Sequence, residues 1–581
     1  MKIDKRNPYL INRTFKTYFI AAMLSSMALS LGVVVDGVIV GNLLGPDALS
    51  AVNLAAPVMQ LFTAIYQLIN VGGVILSAMA IGKQKFDEVH RIFSLSMAFN
   101  VTVGFLSVFA GLFFLDDIVR LLCSSIELQP LVKEYVGIVL WSSPVYIILP
   151  GLCEYLCADS NPKLASVALI VANVVNLGLD VLFISVFSLG VFSAALATGI
   201  GFLVGLCIAS THFLKKERIL HIVKPAFKQK TARLLLTGLP LAMASILLTI
   251  RLLSVNNIIL YSLGAAGISI LSVCFNLLMI ATMFVGGTVQ TIQPIAGVLY
   301  GSEDFKGVRM AVRTAVKTMT VCLMLFLILL SIAPGFLSSL FGLSGTALIV
   351  QARPAIRLFA LSIPLFGLNY LLMAIFQLGG RNKFSILVSC LQALMVIPVM
   401  LLATLSNHEA LIWLSFALGE LLVLGMIVVA SQKVRRKQPR LSFVTLIDAP
   451  QQDGSFLDFS LLSEPDNIGA LNDTVHQFLL EKTVDKRCAN AVAVCAEELT
   501  LNIMQHAYVK GNKHYVDIRL RLLPDKALLC ITDDGIPFDP VKYDPSGIGL
   551  LLVRKLCSHI QYSRTLHQNV VIVEVKTKEI G

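Results

Sequence analysis

Charged residues are scarce in this chain. Asp, Glu, Lys and Arg make up 14% of its 581 residues, whereas hydrophobic residues make up 56%. A soluble globular domain carries about 25% charged residues, so most of this chain is predicted to lie in a membrane. The basic residues cluster in short loops between apolar runs. The net charge of +11 is therefore not explained by nucleic-acid binding.

Three signatures of other protein classes are missing. No GxxxxGK[ST] phosphate loop occurs, which excludes an ATP-binding-cassette pump. The 11 cysteines are scattered and show neither a zinc spacing nor a disulfide framework. The basic N-terminus leads into an apolar run that is too long for a cleavable signal peptide, so we expect none.

Long apolar runs fill the first three quarters of the chain. Runs of about 20 apolar residues predict membrane helices. We place twelve of them near residues 17–43, 51–81, 92–115, 133–156, 162–187, 190–214, 234–262, 266–299, 311–333, 354–378, 383–405 and 409–431. Lys and Arg follow every even-numbered run. Because such loops stay in the cytoplasm, we predict a multi-pass protein of a bacterial-type plasma membrane with both termini cytoplasmic.

The apolar part contains an internal repeat. Gly45 and Gly82 recur 219 residues later as Gly264 and Gly301, each in a similar sequence context. A repeat of this length predicts two six-helix lobes of parallel topology, joined by the basic loop 214–233. Halves of this kind usually build a cavity at their interface and rock about it.

Acidic residues inside the apolar runs occur where the two halves differ. Asp180 lies well inside the fifth run, and Asn176 shares its helix face four residues earlier. Thr198 offers a hydroxyl on the next helix, and Asp36 lies inside the first run. An ionised carboxylate at the bilayer centre costs about 2.5–3.5 kcal/mol. A structural Asp satisfied by neighbouring helices is the alternative to a functional one.

The second half has no acidic counterpart for Asp36 or Asp180, and symmetric packing would not require that difference. We therefore predict a coupling-ion site for H+ or Na+ in the first half. Two carboxylates that face one low-dielectric cavity repel each other, which favours the uptake of a proton near neutral pH.

A family resemblance follows from these residues. The stretch DGVIVGNLLGPDALSAVNLAAP, followed by Asn176-x-x-x-Asp180 and Ala194-Ala195-Leu196-Ala197-Thr198, resembles the multidrug and toxic compound extrusion (MATE) family over residues 10–432. The resemblance implies antiport of amphipathic, often cationic compounds against H+ or Na+. It also implies that Asp36, Asn176, Asp180 and Thr198 form the cation site of the N-terminal lobe. Relatives with an additional acidic site in the C-terminal lobe differ from this chain.

Four further charged residues lie in or near the apolar runs. Arg251 and Glu420 are both in mid-run, and we favour a structural pair over substrate binding because intramembrane charges commonly pair. Glu154 and Asp159 lie towards the cytoplasmic end of the fourth run, where we expect them to be solvated.

The composition changes after Ser431. A basic linker is followed by alternating strand patterns and two amphipathic helix patterns, which predict a soluble α/β sandwich domain. We therefore predict a polytopic all-α membrane protein with a cytoplasmic α/β domain. Its parts are the N-terminal lobe 1–218, the C-terminal lobe 219–432, the basic linker 433–455 and an ATP-binding domain over 456–581.

Three signals in the C-terminal domain predict ATP binding. They are Glu498-x-x-x-Asn502 on one helix face, Asp533-x-Gly535 after a strand, and Gly547-x-Gly549 before a helix. An Asn oxygen can hold the Mg2+ that bridges phosphates, and a carboxylate one turn away can deprotonate a hydroxyl. A strand-end Asp can accept from adenine's amine, and glycines before a helix expose N–H groups to phosphate.

This set resembles the GHKL ATP-binding fold and is most similar to the anti-sigma-factor serine kinases. The resemblance implies that Glu498 is the catalytic base, Asn502 the Mg2+ ligand and Asp533 the adenine-reading residue. It also implies that Gly535, Gly547 and Gly549 belong to the ATP site. No phospho-accepting His helix precedes the domain, which argues against a histidine kinase. Gln568-Asn569 stand where the family usually has Gly-Thr before the last strand.

Three functions remain open from the sequence. The first is a cation-coupled exporter of amphipathic or cationic small molecules that is regulated by ATP in its C-terminal domain. The second is a membrane-tethered serine kinase or partner-switch sensor that detects a ligand with its membrane helices and acts on a protein partner. The third is a lipid-linked precursor flippase, although those relatives commonly have more spans and a more basic cavity. Membrane lipid and a small-molecule substrate are the expected partners, and nucleic acid is not.

Overall fold

The computed structural model describes residues 6–123, 125–215, 218–225, 227–341, 343, 346–406, 408–448, 456–464, 467–508, 514–542 and 548–577. The chain divides into two compact units. The first unit contains residues 1–16, 305–310 and 449–581, and the second contains residues 17–304 and 311–448.

The second unit is helical. Its first ten helices are α1 (Tyr9–Leu43, which begins in the first unit), α2 (Pro46–Leu54), α3 (Ala56–Tyr66), α4 (Gly72–Gly82), α5 (Phe86–Phe113), α6 (Leu115–Leu122), α7 (Gln129–Trp141), α8 (Ser143–Ala158), α9 (Pro162–Val181) and α10 (Phe192–Ser210). A π-helical turn, Gln67–Val71, joins α3 to α4, and a second one, Leu182–Val186, follows α9. A 3-10 turn, Thr211–Leu214, follows α10.

Eight more helices complete the helical part. They are α11 (Phe227–Gly301), α12 (Phe305–Ile332), α13 (Pro334–Leu340), α14 (Thr346–Ala360), α15 (Ser362–Leu378), α16 (Asn382–Leu394), α17 (Val396–Thr404) and α18 (Glu409–Lys437). In the described ranges, nine helical stretches are long and apolar enough to cross a membrane, or ten if α7 and α8, bent by 49°, form one span. This number is lower than the twelve predicted spans, partly because α11 contains two of them, 234–262 and 266–299.

Two glycines of the internal repeat share an unusual backbone conformation. Gly45 ends the turn before α2 with φ 89° and ψ 179°, and Gly264 interrupts α11 with φ 65° and ψ −158°. Only glycine adopts this region of φ and ψ readily. The repeated glycine therefore marks a helix boundary with positive φ in both halves of the sequence, and it divides α11 into two helical segments.

A second pair of repeat glycines lies in direct contact. A Cβ atom added at Gly82 would lie 2.9 Å from the Cα of Gly301, and one added at Gly301 would lie 3.0 Å from the Cα of Gly82. No side chain fits at that distance, so α4 and α11 pack backbone to backbone here. Small residues allow such an approach between membrane helices.

The C-terminal domain is a five-stranded antiparallel sheet with three helices. Its elements are β1 (Phe456–Leu462), α19 (Ile468–Glu481), α20 (Lys486–His506), β2 (Tyr515–Leu522), β3 (Lys526–Asp533), α21 (Ile548–Leu556), β4 (His559–Thr565) and β5 (Gln568–Lys576). The strand order is β1-β2-β3-β5-β4. The two amphipathic helices, the helix predicted at Gly549 and four of the strands are confirmed, with Gly549 in the first turn of α21. Strand β1 was not predicted.

One apolar core holds this domain together. Alternate residues of β3 and β5 point into it, including Leu529, Ile531 and Val573, and α20 contributes Val492 and Leu499. Asp485 begins α20, because its carboxylate accepts hydrogen bonds from the next free backbone amides, at 2.9 Å from Arg487 N and 3.4 Å from Cys488 N. The cap fixes the start of α20, and burial of one helix face fixes its position on the sheet. Together they place the C-terminal half of α20, which carries Glu498 and Asn502.

Candidate functional site

Asp180 lies near the end of α9 and is completely buried. Asn176, one turn earlier on the same face, donates a hydrogen bond from Nδ2 to Asp180 Oδ2 at 3.2 Å. A π-helical turn begins two residues after Asp180. Such turns re-aim the side chains around them and are frequent at functional sites.

Asp36 reaches this group from α1. Its carboxyl group lies within hydrogen-bonding reach of the Asp180 carboxyl group. One oxygen of each of Asp36, Asp180 and Asn176 is buried without a hydrogen-bond partner. Buried polar atoms are nearly always satisfied in native proteins. Three such oxygens in one place therefore leave room for a proton or a cation as the missing partner.

Thr198 joins the group less directly. Its hydroxyl donates to the carbonyl of Ala194 at 2.9 Å, one turn earlier on α10. It also lies within hydrogen-bonding reach of Tyr146 on α8. Tyr146 and Tyr135 both interact electrostatically with Asp36 and Asp180. The two tyrosines are part of the site but escaped the sequence analysis, because a Tyr in an apolar run is usually packing.

Arg251 and Glu420 form the predicted pair. Arg251 Nη1 lies 3.2 Å from Glu420 Oε1, and both side chains are buried. The other carboxylate oxygen, Oε2, accepts from Asn369 Nδ2 at 2.9 Å and from Gln392 Nε2 at 3.2 Å. This network supplies the partners that a buried ion pair needs. Arg251 also lines a cavity of about 180 Å³ together with Tyr370.

The expectation that Asp159 is solvated is wrong, and Glu154 is only partly exposed. Asp159 is buried and accepts from His212 Nε2 at 2.7 Å and from the amides of Ile219 and Leu220. Glu154 lines a cavity, and its Oε2 is buried without a partner. The sequence placed both near a helix end but gave no information about the helices and the loop that cover them.

Asp533 organises the candidate site of the C-terminal domain. It ends β3, is almost completely buried, and accepts at Oδ1 from Gly535 N at 2.8 Å and from Asn569 Nδ2 at 2.9 Å. Burial raises the pKa of Asp533 to about 6, although the bonds from Asn569 and Gly535 oppose that rise. Its other oxygen stays available to an incoming hydrogen-bond donor.

Asn569 was not predicted as a site residue. It stands at the position where the resembled family has Gly-Thr, and its amide bonds Asp533 directly. Its Oδ1 in turn accepts from Tyr562 Oη and from Arg564 Nη1, both at 2.9 Å. The departure from the family pattern thus retains a polar support for the buried carboxylate. Cross-strand pairing of Asn569 with Asp533 is the structural signal, and it requires the register of the sheet.

The remaining predicted residues lie around one cleft. A cleft of about 120 Å³ is lined by Asn502, Asp533, Phe538 and Asn569, among others. The Glu498 carboxylate lies against Gly549, since a Cβ atom added there would collide with Glu498 Oε2. Gly547 lies outside the described residues.

These residues fit the cofactors that the sequence predicts. The cleft offers a buried carboxylate for an adenine amine and an apolar side chain, Phe538, for its ring. Asn502 lines the same cleft, and its amide oxygen is of the type that holds Mg2+. In the described parts of the chain, no group of three or more His, Cys, Asp and Glu side chains is arranged to hold a metal ion. A magnesium ion would therefore depend on phosphate oxygens as well as on Asn502.

Sequence profiles of two families match the chain. The MatE profile matches twice, over residues 21–182 and 240–402. The histidine kinase-like ATPase domain profile matches residues 461–575.

Similar proteins and structures agree with these matches. The multidrug export protein MepA of Staphylococcus haemolyticus is 22% identical over 412 residues, covering 70% of this chain and 90% of its own. MepA of Staphylococcus saprophyticus is 22% identical over 365 residues, covering 62% and 80%.

Two solved structures share the fold of the helical part. The outward-facing conformation of a multidrug resistance MATE family transporter has a TM-score of 0.68 at 18% identity, covering 74% of this chain and 96% of its own. A MOP superfamily transporter from Pyrococcus furiosus has a TM-score of 0.69 at 20% identity, covering 74% and 97%.

The family profile spans more than half of the chain, and the helical fold agrees with it. The chain therefore belongs to the MatE family and carries a C-terminal histidine kinase-like ATPase domain.

Proposed function

We propose that this protein exports amphipathic or cationic small molecules in exchange for H+ or Na+. The observation that carries the proposal is the contact between Asp36 and Asp180, with Asn176 bonded to Asp180 at 3.2 Å. The relatives named above are multidrug exporters by name, which is consistent with the proposal.

The acid pair supports coupling for an electrostatic reason. Two neighbouring carboxylates in a low-dielectric site are costly to ionise together unless a cation or a proton lies between them. An ion that enters the site therefore neutralises it and favours a different packing of α1 against α9. Return to the unloaded packing follows when the ion leaves on the other side of the membrane. Cargo that occupies the cavity in only one of these states moves against the ion.

We also propose the arrangement of twelve spans in two lobes. Three features support twelve spans. They are the ten apolar stretches given under the overall fold, the division of α11 at Gly264 into two spans, and α1 as a further span. The double match to the family profile supports two repeats. The contact of the repeat-related Gly82 and Gly301 is what a pseudo-twofold axis between the lobes would produce. Both termini are then cytoplasmic, as the basic loops predict.

Reconstituted vesicles provide the test of export. Purified protein is placed in vesicles loaded with ethidium, and an inward gradient of pH or of Na+ is imposed. We expect dye efflux with one gradient and none without a gradient. Failure of both gradients to drive efflux of any of several cationic dyes would contradict the proposal.

The C-terminal domain is proposed to bind ATP as a regulator. Asp533 would accept from the adenine amine, Asn502 would hold Mg2+, and Gly535, Gly547 and Gly549 would belong to the ATP site. ATP supplies a polyphosphate and an adenine base for these residues to bind. Glu498 beside Gly549 supports the alternative, a serine kinase. In that case Glu498 takes the proton of a partner's hydroxyl as the γ-phosphoryl group moves to that oxygen and ADP leaves. Loss of partner phosphorylation in Glu498→Ala, with no detectable transport, would favour this alternative.

Nucleotide binding should depend on pH through Asp533. Burial raises the pKa of this carboxyl to about 6, so it loses its charge as the pH falls through that value. The ionised form is the one that accepts from the adenine amine without a competing proton. We therefore expect affinity for ADP to fall by about tenfold between pH 7 and pH 5. Asp533→Asn should bind weakly and lack this decrease. The comparison separates the titration of Asp533 from that of the ADP phosphates. An unchanged affinity across this range would contradict the assignment.

An N-terminal segment, residues 6–16, supports a route for regulation. It belongs to the same compact unit as the C-terminal domain. Arg6 Nε lies 3.1 Å from Asp517 Oδ2, with both side chains buried, and Gln568 Nε2 donates to Thr14 Oγ1 at 2.9 Å. Gln568 precedes Asn569, the support of Asp533.

A second contact of the N-terminal segment lies next to Asp533, the residue proposed to bind the adenine amine. Arg13 forms an ion pair with Asp534, the neighbour of Asp533. The same helix, α1, carries Asp36. A nucleotide-induced shift around Asp533 would therefore reach the start of the helix that holds half of the acid pair.

Arg6→Ala should uncouple nucleotide from transport. Loss of one partner of a buried ion pair costs about 3–5 kcal/mol, so the N-terminal segment should detach. We expect the ratio of efflux with and without ATP to approach one, while gradient-driven efflux itself persists. Lys16→Ala, which removes the same charge from an exposed position, is the control. Nucleotide binding is measured alongside to verify folding, and Arg13→Ala is the milder variant if binding is lost. A full nucleotide response in Arg6→Ala would exclude this route.

A further inference from the structure

Strand β1 forms one edge of the sheet in the C-terminal domain, where its neighbour is β2. Edge strands are usually covered or charged, because a bare edge pairs with other chains. The compact unit that contains this sheet also contains two segments from elsewhere in the sequence, residues 6–16 and 305–310. Each segment places a basic side chain against the β1 residue Asp458. The edge strand is therefore a docking surface for two other parts of this chain.

The first segment is attached to the sheet by buried contacts. Arg6 Nε lies 3.1 Å from Asp517 Oδ2 on β2, and both side chains are buried. The backbone amide of Asn7 donates to Ser460 Oγ on β1 at 2.7 Å, and this hydroxyl donates to Asp517 Oδ1 at 2.5 Å. Removing one partner of a buried ion pair is strongly unfavourable. This attachment is therefore the lasting one of the two.

The second segment is held by a more exposed ion pair. Lys306 Nζ, in the first turn of α12, lies 3.4 Å from Asp458 Oδ2, and the two side chains are 37% and 17% exposed. The same carboxylate oxygen lies 3.7 Å from Arg6 Nη1. Asp458 thus lies between one cation near the start of α1 and another at the start of α12. Exposed ion pairs contribute little to stability, so the Lys306 contact is the one that opens easily.

The two helices belong to different halves of the sequence repeat. Helix α1 lies in the first half and α12 in the second, and both run from the first compact unit into the second. In the proposed topology both helices start on the cytoplasmic side. Halves that rock about a central cavity change their separation at that side in every cycle. A domain that is bonded to one helix of each half opposes this change.

We propose that the C-terminal domain is a clamp on the transporter, in which β1 ties the start of α1 to the start of α12 through Asp458. Opening of the Lys306–Asp458 pair releases the second half and speeds transport. The inference rests on the export function proposed above and adds a restraint on its rate. The clamp acts on the movement of the halves rather than on the cavity, so it slows every substrate to the same extent.

Lys306→Gln tests the clamp by removing one charge from the weaker attachment. We expect gradient-driven efflux of ethidium to rise about twofold to fivefold, the range that corresponds to the loss of one exposed ion pair. Asp458→Asn should give a similar rise, because Arg6 keeps its buried partner Asp517. Lys317→Gln removes the same charge from an exposed position of α12 and should change nothing. Unchanged efflux in both Lys306→Gln and Asp458→Asn overturns the inference.

A reversible cross-link tests the clamp in the opposite direction. The double variant Lys306→Cys, Asp458→Cys is joined by a short reducible bis-methanethiosulfonate linker, and mass spectrometry verifies the linked peptides. Efflux should fall below that of the unlinked double variant and recover after reduction. The two single variants, treated in the same way, control for reaction of the native cysteines. Undiminished efflux by the linked protein overturns the inference.

Hydrogen exchange provides a measurement that does not depend on transport. In full-length Lys306→Gln in detergent, the amides of residues 305–315 should exchange faster than in the unmodified protein. Unchanged exchange in β3 verifies that the C-terminal domain is folded. Equal exchange over residues 305–315 overturns the inference. If the unmodified protein exports nothing under either gradient, the export function fails instead, and hydrogen exchange still decides whether Lys306 holds α12 to the domain.

Discussion

Asp180→Asn should reduce gradient-driven efflux to the rate of vesicles without protein. The amide keeps the size of the side chain and can still accept from Asn176, so we expect the helical unit to fold. It cannot carry a negative charge or exchange a proton, however, and the pair with Asp36 then lacks the electrostatic reason to hold an ion. Efflux is measured with ethidium under the gradient that drives the unmodified protein, at matched protein content per vesicle.

Two further variants sharpen this result. Asp47→Asn removes a carboxylate from an exposed position at the start of α2 and should leave efflux unchanged. Asp36→Asn should be as inactive as Asp180→Asn, and the double variant no worse than either, because residues that act as a unit are not additive. Unaltered efflux in both single variants would remove the acid pair from the mechanism.

Asp533→Ala should weaken nucleotide binding about tenfold to a hundredfold. A hydrogen bond to a charged group contributes about 1.5–3 kcal/mol, and the substitution removes the acceptor for the adenine amine. It also leaves the Nδ2 group of Asn569 without its partner at 2.9 Å, which loosens the wall of the cleft. Binding of a fluorescent ADP analogue to the full-length protein in detergent measures the effect.

The control for this variant lies at the other end of the same strand. Asp525→Ala changes an exposed carboxylate just before β3 and should bind nucleotide normally. Asp533→Ala should also lose any difference between its affinity for adenine and guanine nucleotides. Binding with unchanged affinity would mean that the base lies elsewhere, and the cleft around Asn502 and Phe538 would need another ligand.

Much of the fold could be predicted from the sequence because its signals are local. Apolar runs of bilayer length and the alternation in β2 to β5 each depend on a few neighbouring residues. Strand β1 was missed because FLDFSLL does not alternate: three consecutive residues, Phe459, Ser460 and Leu461, are buried. The break at Gly264 lies between two predicted spans, 234–262 and 266–299. Its positive φ explains why glycine recurs there and at Gly45.

The site could be predicted only in part. Asn176 and Asp180 share a helix face at a spacing of four, so their contact follows from the helix itself. Tyr135 and Tyr146 gave no separate signal, since aromatic residues in an apolar run usually pack. Glu154 was expected to be solvated, because sequence position cannot show which other helices close over a side chain.

By itself, the sequence determined the class of protein, the order of its membrane runs and the location of its acidic residues in one half. It also determined the ATP-site signals of the C-terminal domain, because these depend on residue type and spacing. Only the tertiary structure decided that Asp36 meets Asp180 and that Asn569 on β5 supports Asp533 on the neighbouring β3. It also decided that Oε2 of Glu154 lacks a hydrogen-bond partner. Each of these contacts joins elements that are distant along the chain, so it depends on how helices and strands pack rather than on local periodicity.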